Sequence, residues 1–161
     1  MNTAGPGIDP ALARSWREAL SAAVSGREVE EELIHLSRVA GGEDLVAEAL
    51  ERGLRRQDWD AVEALLPVCW SAPSPRYVAP LSAILDRQCL EISNGLLIEA
   101  LARIESPEAL PALQRAHARI SVPEADWAPD APGHERAEQM RGRCTAIARA
   151  LEARNSTEGE Q

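Results

Sequence analysis

The side chains in this chain best suited to chemistry are three histidines, three cysteines and two pairs of adjacent acids. His35, His117 and His134 lie far apart, with no H-x-x-x-H spacing. Cys69, Cys89 and Cys144 are odd in number and include no C-x-x-C. A zinc site needs such short spacings to bring its ligands together, so none is expected. No P-loop, no G-x-G-x-x-G after a strand and no G-x-S-x-G is present. Glu31-Glu32 and Glu43-Asp44 could act as paired carboxylates only if they converged in a pocket. Both pairs stand at expected helix starts, where the helix dipole favours acids. His35 is expected to face solvent or to serve as a cap partner. The expectation is a non-enzyme with no catalytic, cofactor-binding or metal-binding residues.

Charge is the more informative signal. The 161 residues carry 26 acids against 17 basic residues, a net charge of -9 and a pI of about 4.9. The excess is uneven. Between Glu28 and Glu63 there are eleven acids and four arginines (Arg38, Arg52, Arg55 and Arg56). A nucleic-acid binder would show a basic face instead. An acidic face can steer a basic protein partner; the alternative reading is plain solubility. Candidate partner-binding residues are Glu43, Asp44, Glu48, Glu51, Asp58 and Arg76, with Trp59, Trp70 and Trp127 as aromatic anchors. No signal-peptide pattern opens the chain, and no apolar run approaches a bilayer span. A cytoplasmic protein with reduced, largely buried thiols is expected, with no membrane contact.

The elements that must position these residues are helices. The chain is 45% hydrophobic, yet it has no Phe, one Tyr (Tyr77) and four Trp. Its core must come from Leu, Ala, Val and Ile, which suits close helix packing better than a β-sandwich. All basic residues are Arg, which reads as the codon bias of a GC-rich, bacterial genome.

Residues 59 to 120 repeat. A shift of 32 positions lays Leu65-Leu66 on Leu97-Ile98, Ser74-Pro75 on Ser106-Pro107, and Leu81 on Leu113. The opposite shift lays Leu33-Ile34 on Leu65-Leu66. Such a period marks stacked helical hairpins. In order, residues 1–9 are an expected flexible start. Asp9-Pro10 then opens a helix to Val24, with Leu12, Trp16 and Ala19 on one stripe. Hairpins are expected at about 28–56, 59–87 and 92–120. Within them, helices are expected over 27–40, from Glu43 or Asp44 to 56, from Asp58 with a kink at Pro67, over 75–87, from a Ser93 cap, and from Ser106-Pro107. A Pro-rich loop at 121–133 holds Trp127, either tucked onto the helices or exposed. A last helix at 134–154 and a polar flexible tail at 155–161 complete the chain.

The alternation of an L-x-x-A-L helix, an S-P turn and a second helix resembles HEAT-like repeats. Leu96 to Ile104 with Ser106-Pro107 to Arg119 carries the resemblance, and Val62 to Trp70 with Pro75 to Arg87 follows it less closely. Of the family's inter-repeat Asp/Arg ladder, only Asp86-Arg87 is visible. The resemblance spans about 28–120 and implies an all-α fold. That fold would be a short right-handed α-solenoid of about eight helices, with a cap helix at each end of a single domain at 10–154. It also implies a binding scaffold whose second helices line a concave face. HEAT-like DNA glycosylases need a basic face with aromatic platforms, and the charge here is opposite.

The function expected is a non-catalytic module that binds a basic protein partner, of the immunity or antitoxin type. The alternative is a structural subunit or adaptor. A third reading places a small-molecule or enzymatic pocket at the 121–133 loop, with Trp127, His117, Asp126 and Arg119 converging.

Overall fold

A computed structural model describes residues 7–87 and 92–121, with isolated positions at 149, 152, 153, 156, 157 and 159. Every regular element among the described residues is helical. Trp127, Asp126, Cys89, Cys144, His134 and the side chains of His117 and Arg119 lie outside them. So do the expected loop beyond Ser121 and nearly all of the expected helix at 134–154. The small-molecule reading therefore falls outside the described residues. Ser156 and Thr157, where a flexible tail is expected, are helical, and their hydroxyls donate to the Glu152 and Ala153 carbonyls.

Helix α1 (Pro10–Val24) has the bounds its sequence predicts. The Asp9 carboxylate accepts the Ala11 N–H at 2.9 Å, and Pro10 takes a position whose N–H is not needed. Leu12, Trp16 and Ala19 are its buried stripe.

Helix α2 (Glu30–Arg38) is shorter than the expected 27–40. No side chain caps its start at Val29, and Val39 is extended. Helix α3 (Gly42–Arg56) begins one residue before Glu43, so Gly42 opens α3 instead of closing α2. A side chain at Gly42 would stand 2.7 Å from the Ser37 carbonyl oxygen and nearer still to that of Leu36. Only glycine lets the two helices meet so closely there.

Helix α4 (Trp59–Ser71) is capped by Asp58, which accepts the Ala61 N–H at 3.2 Å. It runs through Pro67, which has no N–H to give the Glu63 carbonyl. The expected helix at 75–87 is two pieces: a 3-10 turn at Pro75–Tyr77, then α5 (Val78–Asp86). The break moves Pro80 into the first turn of α5, where a donor is not required. The same solution recurs one period later. A 3-10 turn at Pro107–Ala109 precedes α7 (Leu110–Ser121) and puts Pro111 at its second residue. Ser74 and Ser106 cap these turns alike, each accepting an N–H two residues on at 3.3 Å.

Helix α6 (Asn94–Ile104) starts after Ser93, but the Ser93 hydroxyl does not cap it. The hydroxyl donates to Glu63 of α4 instead, at 2.6 Å.

The helices pack in two rows. α2 touches α4, and α4 touches α6; α3 touches α5, and α5 touches α7. α3 with α4, and α5 with α6, join the rows, and α1 lies against α2, α3 and α4. One continuous core results. Leu33, Leu50, Leu65, Leu66, Leu81, Ile84, Leu97, Ile98, Leu101 and Leu113 are fully buried in it, with Tyr77 the only fully buried aromatic among the described residues. Each such aliphatic side chain contributes roughly 1.5–3 kcal/mol by leaving water. Close approach is set locally as well: a side chain at Gly53 would stand 2.8 Å from Val62 Cγ2, across the α3–α4 contact.

Candidate protein-binding surface

The acids nominated from sequence mostly have partners within the chain. Glu43 and Asp44 open α3 beside the Ser74 turn. The Ser74 hydroxyl donates to Glu43 Oε2 at 2.9 Å. The Arg76 guanidinium pairs with Asp44 and lies 3.9 Å from Glu43. Glu48 pairs with Arg52 one turn on, at 2.6 Å, and Asp58 is the α4 cap. Glu51 is exposed. This group is therefore largely engaged in positioning α3, α4 and the 75–77 turn.

The aromatic candidates divide. Trp59 is half-buried and packs on the core. Trp70, at the end of α4, is 39% exposed, and the Arg103 guanidinium of α6 lies over its ring, 4.4 Å from the centroid. Trp127 is outside the described residues.

A different set of acids lines an open groove of about 910 Å³. Its walls are Ala23 at the end of α1, the stretch Arg27 to Leu33 leading into α2, and Ala64 and Pro67 of α4. Glu28, Glu30, Glu31 and Glu32 stand exposed along it, against Val29, Leu33, Ala64 and Pro67. In the sequence these glutamates belong to the acidic stretch from Glu28 to Glu63, but they are not among the nominated partner-binding residues. The run of acids was visible; that it faces Ala64 and Pro67, more than thirty residues on, was not.

Burial and pairing shift the acidity of three described groups. Burial pushes the Cys69 thiol up to about 12, so it stays protonated and inert. Burial also holds the Tyr77 phenol well above its usual range, and nearby Cys69 and Glu43 push the same way. The Tyr77 hydroxyl is buried with no hydrogen-bond partner among the described residues. Arg115 is raised by its hydrogen bonds to Asp86, at 3.0 and 2.9 Å, which clamp α7 to the end of α5. Among the described residues, no cluster of His, Cys, Asp and Glu is placed to hold a metal ion, and no helix is long and apolar enough to cross a membrane.

Comparison with protein-family models, curated proteins and solved structures finds no match to this chain.

Proposed function

We propose that this protein is a cytoplasmic, non-catalytic protein-binding module, and that the α1–α2–α4 groove receives a basic segment of a partner protein. The observation that carries the reading is the groove itself: four exposed glutamates beside an apolar floor of Val29, Leu33, Ala64 and Pro67. Acidic walls steer a basic segment in, and the floor supplies the area that holds it. An immunity or antitoxin role, neutralising a basic toxin domain, is the concrete form. In this proposal the helix pairs stack as a short right-handed HEAT-like solenoid. The two rows of helices and the matched Ser-Pro turns support that arrangement.

The test is affinity capture from a bacterial lysate on the immobilised protein, beside a variant carrying Glu28→Gln, Glu30→Gln, Glu31→Gln and Glu32→Gln. Basic proteins held by the first, released by salt and missing from the second, are the expected result. Equal capture by both removes the groove from the mechanism.

A further inference from the structure

If the groove binds as proposed, α4 extends that surface further. Ala64, Pro67 and Trp70 follow one another three residues apart, so they trace a line that winds about 120° around α4, from the groove floor to the exposed tryptophan beside α6. At 1.5 Å rise per residue, Trp70 lies ~9 Å beyond Ala64. Helix α2 runs alongside in the same direction. Its Leu33 lines the groove with Ala64, and its Arg38 Nη2 donates to the Ser71 carbonyl at 3.2 Å.

Two guanidiniums are therefore pinned at adjacent residues of α4. Arg38 is held by the Ser71 carbonyl, and Arg103 lies on the Trp70 ring. A guanidinium over an indole face gains from the ring quadrupole and still offers N–H groups to a carboxylate. Glu99, one turn before Arg103, is engaged in an interaction of its own. The surface is bipolar: glutamates along the groove, then two arginines and a tryptophan past its end.

We propose that Trp70, Arg103 and Arg38 form a carboxylate-reading anchor for the same partner segment that enters the groove. The occupant is one peptide segment of the partner, basic in the groove and bearing Asp or Glu ~9 Å further on. That spacing is about six residues in a helix or about three in an extended strand. Charge complementarity at both ends selects it over a uniformly basic peptide. Trp and Arg are also the residue types that most often dominate binding energy at interfaces.

Three capped, fluorescently labelled peptides test this by anisotropy: tetra-arginine, tetra-arginine followed by a helix-forming spacer and two Glu, and the same peptide with two Gln. The Glu peptide should bind about three- to tenfold more tightly than the Gln peptide, the range for a few exposed charge-assisted contacts. That preference should vanish in Arg103→Gln and Trp70→Ala and shrink in Arg38→Gln, each with an unchanged melting temperature. The fourfold Glu→Gln groove variant should weaken all three peptides. Equal binding of the Glu and Gln peptides, or a preference that survives Arg103→Gln and Trp70→Ala, overturns the anchor and leaves the groove standing. Tetra-arginine binding that ignores the four glutamates overturns the groove instead. A Glu preference still lost in Arg103→Gln would then keep the anchor.

Discussion

Glu63 holds Ser93 with both carboxylate oxygens: the Ser93 N–H donates to Oε2 at 2.8 Å and its hydroxyl to Oε1 at 2.6 Å. One half-buried side chain of α4 thus fixes the entry to α6, thirty residues on. Ser93 is at the cap position of α6, yet its hydroxyl is spent on α4. Hydrogen bonds to a charged partner are the stronger kind, each contributing roughly 1.5–3 kcal/mol. Glu63→Ala should lower unfolding stability by about 2 kcal/mol or more, measured by urea denaturation. Ser93→Ala removes one of the two bonds and should cost less. Equal stability of Glu63→Ala and the wild type would show that the pair does not fasten α6.

Gly42→Ala should be among the most damaging single changes. Its new methyl would meet the Leu36 and Ser37 carbonyls, which are backbone and cannot rotate away. A cost of about 3 kcal/mol or more follows, set by moving α3 off α2. Gly26→Ala meets open space and carries only the left-handed strain of its φ of +86°, so about 1 kcal/mol is expected. Thermal unfolding of the two variants side by side distinguishes a steric cause from a conformational one.

Tyr77→Phe should be neutral or stabilising by up to about 1 kcal/mol. The hydroxyl is buried without a partner among the described residues, so removing it deletes a desolvation cost and no bond. The ring, fully buried, keeps its packing. A loss above about 1 kcal/mol would mean that a buried water serves this oxygen.

Cys69 makes stability fall at alkaline pH. Its folded-state pKa is raised from 9.0 to about 12, so the folded chain favours the neutral thiol. The contribution is fully present below pH 9 and is lost as pH rises from 9 towards 12. Tyr77 adds a loss of the same sign, beginning near pH 10, because its phenol is raised as well. Denaturation at pH 7, 8 and 10.5 should give nearly equal stability at the first two and less at the third. In a Cys89→Ser, Cys144→Ser background, a thiol reagent at pH 8 should label Cys69 only as fast as the protein unfolds. Rapid labelling of the native protein would show that the α4 core opens locally.

Local rules made much of the fold legible. Asp9-Pro10 and Ser25-Gly26 bounded α1, because a cap, a first-turn proline and a turn glycine act within a few residues. Leu45, Val46, Ala49 and Leu50 were readable as the buried face of α3, and Leu65, Leu66 and Cys69 as that of α4, because a 3.6-residue period sorts side chains before any tertiary contact exists. The Ser-Pro turns, 32 apart, were readable as structural equivalents for the same reason.

What escaped was decided by partners distant in the chain. Ser93 looks like a cap until α4 brings Glu63 to it. Glu43, Asp44 and Glu48 look like a free acidic face until Ser74, Arg76 and Arg52 take them up. Glu28 and Glu30 to Glu32 look like one part of a long acidic stretch until packing sets them across from Ala64 and Pro67. By itself, then, the sequence determined the helices, their buried stripes and the sign of the surface charge, all properties of short windows. Tertiary structure alone decided which charges are neutralised and which face a groove, because a charge's environment depends on residues that only folding brings near.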